Sequence, residues 1–135
     1  NAHLLLGHRH NEVTSHAHEL ALTVLFESGL QHLADKPESF LAQPKEVQDF
    51  LSKLPAVWDE TRFVSGYPGE SAVIARRSGK TWYVAGINGT DEVKSVKTSL
   101  GIKDIKSGQA FCDSGNKDKP WDIQMMNARV LPDLL

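Results

Sequence analysis

The spacing of apolar residues changes once along this chain, and that change sets what it can fold into. Up to about Leu54 they recur at helical intervals; from about Thr61 they fall in short runs punctuated by glycine. Read this way the chain is α+β, with helices first and an antiparallel β-region after them. Its 135 residues allow one ordinary domain, or a small domain with a piece of another. We divide it into residues 1–57 and residues 58–135.

In the first part a helix is predicted to start near Thr14 or Ser15, whose hydroxyls suit an N-cap. Ala17, Leu20, Ala21, Val24 and Leu25 follow on one face, with Leu22 and Phe26 off that stripe. A helix apolar on more than one side belongs inside a larger body. Gly29 is the expected left-handed stop, which leaves Glu27 at the helix end. Residues 30–34 are too short for a helix and read as a buried strand with Asp35 at its C-terminal tip. Pro44, then Val47, Phe50, Leu51 and Leu54, mark a second helix that Pro55 ends. Helix, strand and helix in that order form part of an α/β unit, and such a strand needs cover on both faces.

The second part reads as a β-meander. Strands 71–77 and 80–87 flank a Ser78-Gly79 loop, Asn88-Gly89 makes the next reversal, and 93–100 returns as a third strand. Residues 62–64 are a fourth candidate. Alternation puts Ala72, Ile74 and Arg76 on one face and Val73 and Ala75 on the other. From Lys103 onward Phe111, Trp121 and Ile123 look like anchors, but no pattern emerges.

Several function classes drop out. A net charge of -2 gives no field directed at nucleic acid or an anionic membrane. A single cysteine, Cys112, permits neither an internal disulfide nor a cysteine-based zinc site. The longest apolar stretch, residues 20–26, is too short to span a bilayer. No signal peptide is recognisable, and the chain starts at Asn1, with no readable element in residues 2–7. The expectation is a processed protein or a piece of a longer one.

Five histidines (His3, His8, His10, His16 and His18) crowd the first 18 residues. They do not make a zinc motif: His16 and His18 diverge on a helix, and the fourth residue after His18 is Leu22. The expected metal content is none. Trp58-Asp59-Glu60-Thr61-Arg62 is the densest polar-aromatic cluster. It suits either a sugar-stacking site or a structural junction, with Trp58 packed where helix meets sheet and Arg62 paired to Asp59 or Glu60; the junction is the simpler reading. Trp82 and Tyr83 should face opposite ways. Asn88-Gly89-Thr90 matches a glycosylation sequon, but the turn explains it better.

Three stretches of the first part, His18-Glu19-Leu20-Ala21-Leu22, Val24-Leu25-Phe26-Glu27-Ser28 and Leu30-Gln31-His32-Leu33-Ala34-Asp35, resemble the end of the catalytic barrel in glycoside hydrolase family 97. Trp58-Asp59-Glu60-Thr61-Arg62 resembles the junction after that barrel. Val73-Ile74-Ala75-Arg76-Arg77 and Trp82-Tyr83-Val84-Ala85-Gly86-Ile87-Asn88-Gly89 resemble the family's C-terminal β-domain. The match is collinear over residues 13–100.

The resemblance implies a helix-strand-helix remnant of a (β/α)8 barrel followed by a partial β-sandwich. It implies a parent enzyme of α-glucosidase or α-galactosidase type, periplasmic or secreted in a bacterium and calcium-dependent. The family's catalytic carboxylates and calcium-binding glutamates lie upstream, so no catalytic residue and no cofactor is assigned to this chain. Asp35, at a strand tip of the kind that lines barrel active sites, is the one substrate-lining candidate; an Asp before Lys-Pro is also an ordinary turn residue. Trp58, Asp59, Glu60 and Arg62 are assigned to the junction. The expected role is structural and oligomerising, with the rest of the barrel and further copies of the chain as partners, no nucleic acid and no membrane span. The alternative is an independent carbohydrate-binding module or a small metal-binding domain.

Overall fold

The computed structural model describes residues 2–4, 14–96 and 99–127. The order is β1 (Ala2–Leu4), α1 (His16–Leu25), β2 (Gln31–Leu33), α2 (Pro37–Leu41), α3 (Lys45–Lys53), β3 (Glu60–Tyr67), β4 (Ser71–Ser78), β5 (Thr81–Asn88), β6 (Ser107–Asn116) and β7 (Lys119–Asn127). The architecture is α+β, as the change of periodicity requires.

β1 and β2 pair in parallel, Ala2 to Gln31 and Leu4 to Leu33, with α1 as the crossover. The opening residues thus contain a strand that their sequence does not announce, because three residues carry no period to read. Ser15 caps α1, its hydroxyl accepting from His18 N at 3.2 Å. The helix stops at Leu25 and the chain is extended at Phe26, so Gly29 is not the stop and Glu27 lies beyond the helix. A second departure is α2, a short turn begun by Pro37. α3 follows Pro44 as expected. β2 is not buried here: Leu30 is 61% and Leu33 53% exposed.

The β-region contains two antiparallel sheets, β3-β4-β5 and β6-β7. Ser78 pairs with Thr81, so the hairpin loop is Gly79-Lys80, one residue later than expected; Gly79 takes φ 58, where a side chain would be strained. A bulge between Phe63 and Ser65 leads to Gly66, at φ 143, where a Cβ would come within 2.3 Å of the Ser71 carbonyl oxygen. Residues 93–96 and 99–100 are not a strand. Asn88 does not set up a hairpin: its side chain accepts from Thr90 N and Oγ1 and donates to the Glu92 carbonyl. Gly89 N bonds the Glu70 carbonyl at 2.8 Å, and Val93 is fully exposed. The chain is tied back to the β3–β4 turn and leaves the sheet. The unread C-terminal stretch forms the β6-β7 hairpin, register Phe111 to Ile123.

Two apolar clusters join helices to sheets. Val24 and Leu25 of α1 pack with Ala85, Ala72, Ile74, Tyr83 and Ile87. Leu20 and Val47 pack with Phe50, Phe111, Trp121 and Ile123. Phe111 and Ile123 sit opposite each other on one face of the hairpin, which is why these scattered residues act together. Full burial of Leu20, Val24 and Val47 contributes about 1.5–3 kcal/mol each. α1 thus lies between the two sheets and is covered by both.

Candidate functional site

The features that could carry function lie at the two ends of α1, on the open face of the three-stranded sheet and in one cleft. At the N-terminus of α1, Asp113 of β6 accepts from Ser15 Oγ at 2.6 Å and from Ala17 N at 3.4 Å. Its carboxylate sits where the helix dipole is positive. At the other end Arg76 of β4, only 2% exposed, donates from Nη2 to the Leu25 carbonyl at 3.1 Å and from Nη1 to Thr61 Oγ1 at 3.3 Å. A cation there complements the negative end of the dipole. The Trp58 ring lies 5.8 Å from the guanidinium and meets Tyr83 edge-on at 5.2 Å. Trp58 thus stands where helix meets sheet.

The pleat sends Arg77 to the opposite face. There Glu60 holds two guanidinium groups: Arg62 Nε at 2.5 Å and Arg77 Nε at 3.3 Å. Arg62 lies over the Trp82 ring at 4.6 Å and Arg77 at 6.0 Å, while Arg62 Nη1 donates to the Gly101 carbonyl. Asp59 accepts from Gly79 N at 2.7 Å and lies 3.7 Å from Arg77, pinning the hairpin loop. The hydrogen-bonded Arg62, with Arg77 behind it, lowers the Glu60 pKa from its ordinary value despite some desolvation. On this face, away from α1, the carboxylates are engaged by arginine and two guanidinium groups lie near the Trp82 indole, so the structure separates Trp58, on the helix side, from Glu60 and Arg62. Trp82 and Tyr83 do face opposite ways.

Asp35 lies two residues past β2. It accepts from Lys36 N at 2.7 Å and from Ser39 Oγ at 3.0 Å, which is turn geometry. The histidines do not converge. His16 meets Trp121 edge-on at 5.8 Å, and His18 lies 3.9 Å from Glu19. His8 and His10, and the side chain of His3, lie outside the described residues. Among those described, no three His, Cys, Asp or Glu side chains are placed to hold a metal ion. No described helix is long and apolar enough to cross a membrane. The Cys112 thiol is half-buried; burial raises its pKa first, and the Asp122 and Asp113 carboxylates add to that.

A cleft of about 600 Å³ opens between His16, the α2–α3 segment and the β6–β7 turn. Trp121 Nε1 donates to Gln43 Oε1 at 2.9 Å, and both residues line the cleft. Arg76, Arg77, Trp82, Asp113 and Trp121 were not singled out as site residues from the sequence. Only consecutive arginines in a strand could have signalled the first two; nothing local marks Asp113, 98 residues from Ser15.

Residues 57–132 match the family described as "Glycosyl-hydrolase 97 C-terminal, oligomerisation". The chain is 56% identical over 88 residues to a probable retaining alpha-galactosidase of Streptomyces bingchenggensis, covering 64% of this chain and 14% of that protein. It is 44% identical over 69 residues to a retaining alpha-galactosidase of Bacteroides thetaiotaomicron, covering 51% of this chain and 10% of that protein. The chain therefore spans only a small part of the relatives it matches. A crystal structure of a beta-arabinopyranosidase superposes with a TM-score of 0.75 at 35% identity, covering 85% of this chain and 18% of the other.

Proposed function

The chain belongs to the glycosyl-hydrolase 97 C-terminal, oligomerisation family, and on that premise we propose that it completes and assembles a retaining α-galactosidase. One observation carries this reading: α1 of the parallel strand–helix–strand unit is clasped at both ends by the β-region, Asp113 at its N-terminus and Arg76 at its C-terminus. The β-domain is built to grip the final helical layer of a barrel. Leu30 and Leu33, exposed on that unit, and Leu41, exposed on α2, are the surface that the remaining barrel would cover. The α-galactosidase relatives support the substrate class. Calcium, on this reading, belongs to the upstream barrel, and the parent acts in the periplasm or outside a bacterial cell.

The chemistry of the parent requires a pair of carboxylates about the scissile bond. Asp59 and Glu60 are committed to arginines and Asp35 to its turn, so the chain contributes architecture. Purified chain should self-associate in sedimentation and leave aryl α-galactosides intact. A monomer at every accessible concentration would remove the assembling role. Hydrolysis that survives repurification and disappears in Asp35→Asn would remove the structural one.

A further inference from the structure

We propose that the cleft between α1, the α2–α3 segment and the β6–β7 turn binds a neutral hexose unit of a glycan, as a subsite on the substrate side of the barrel. The inference rests on the reading of the chain as the end of a glycosidase barrel. Position is the first support. β1 and β2 are parallel, so their C-terminal ends share one side. The chain leaves β2 through Asp35 into α2 on that side, and α1 begins there at His16. In β/α barrels substrates lie beyond those strand ends. Ser39, in the cleft wall, donates to Asp35 and ties the wall to the strand tip.

Size and chemistry agree. A volume of about 600 Å³ suits a small ligand. The aromatic part of the lining is the half-buried Trp121 indole, fixed by Gln43 and met edge-on by His16. At the rim are Glu38, Asp118 and Lys119, all exposed, whose side chains make no hydrogen bond or ion pair among the described residues. A pyranose has an apolar ring face and a belt of hydroxyls, which an aromatic lining residue and exposed polar side chains match. Two carboxylates against one ammonium disfavour an anionic ligand. The β6–β7 turn thereby gives the C-terminal domain a part in holding substrate.

Methyl α-galactopyranoside titrated into the full chain, with the three indole N–H signals followed by heteronuclear NMR, tests this. Trp121→Phe assigns the signal, and Trp58 and Trp82, which do not line the cleft, are internal references. The expected result is a saturable shift of Trp121 alone, weakened roughly tenfold in Glu38→Ala/Asp118→Ala, an exposed pair whose loss leaves the fold intact. An unsaturable drift shared by all three indoles overturns the site, as does an unchanged titration in the double variant or with glycerol. If the parent cleaves α-galactosides and no shift appears, only the subsite fails. If the shift saturates and the parent cleaves no glycoside, only the parental reading fails.

Discussion

Arg76 and Arg77 are consecutive in β4, yet one is sealed against the end of α1 and the other lies in a half-buried ion-pair network on the outer face. Arg76 meets neutral acceptors, the Leu25 carbonyl and Thr61 Oγ1, and gains from the helix dipole. Arg77 meets carboxylates, Asp59 and Glu60, with Trp82 alongside. The formal charge pairing is richer on the outer face, but water and salt screen it. The inner arginine makes fewer bonds in a site where lost bonds are not replaced by water. Burial, not the number of opposite charges, decides which arginine the fold depends on.

That contrast can be broken by mutation. The largest effect is expected for Arg76→Ala, which leaves a cavity and an unmatched Leu25 carbonyl; denaturant unfolding should show a loss of about 3 kcal/mol. Arg76→Met, which fills the space, should recover part of it. Equal stability for Arg76→Ala and wild type would mean that the helix end is not held by this residue. Next comes Asp113→Ala at the other end of α1. Losing its support of Ser15 and of the first turn should cost about 1 kcal/mol in the same measurement. A cost matching Arg76→Ala would show that the two helix ends, and not their burial, set the energetics.

Arg77→Ala should lower the melting temperature by only about 2–3 °C, and added salt should shrink the difference. The smallest effect concerns Glu60. Its carboxyl is held below the ordinary range, so the stability it contributes is present above its unfolded pKa and is lost as pH falls through the folded one. Glu60→Gln should therefore be slightly less stable than wild type near neutrality. The two melting curves should converge in acid. A gap that persists at the lowest pH would assign the effect to packing.

Much of this was legible in the residues, for identifiable reasons. Helical spacing of Leu20, Val24 and Leu25 located α1, and alternation in residues 71–87 located the hairpin and both its faces. For the cluster at Trp58, Asp59, Glu60 and Arg62 the residues left open whether Arg62 pairs with Asp59 or Glu60; it pairs with Glu60, on the face opposite Trp58. The third strand over residues 93–100 failed because Asn88 spends its amide on Thr90 and Glu92. A turn signal reports that the chain can reverse; whether a partner strand follows depends on what the reversed segment meets. The β6-β7 hairpin escaped notice because Gly115, Asn116, Asp118 and Pro120 resemble a loop.

By itself the sequence determined the period of each segment, hence α+β, and the family resemblance, since both reside in local residue order. Only the tertiary structure decided which groups share a site. Asp113 reaches Ser15 across 98 residues and Arg76 reaches Leu25 across 51, and no local pattern encodes either meeting. It also decided which of two adjacent arginines is buried. The pleat sends them to opposite faces, but only the docking of α1 on one face of the sheet excludes water there.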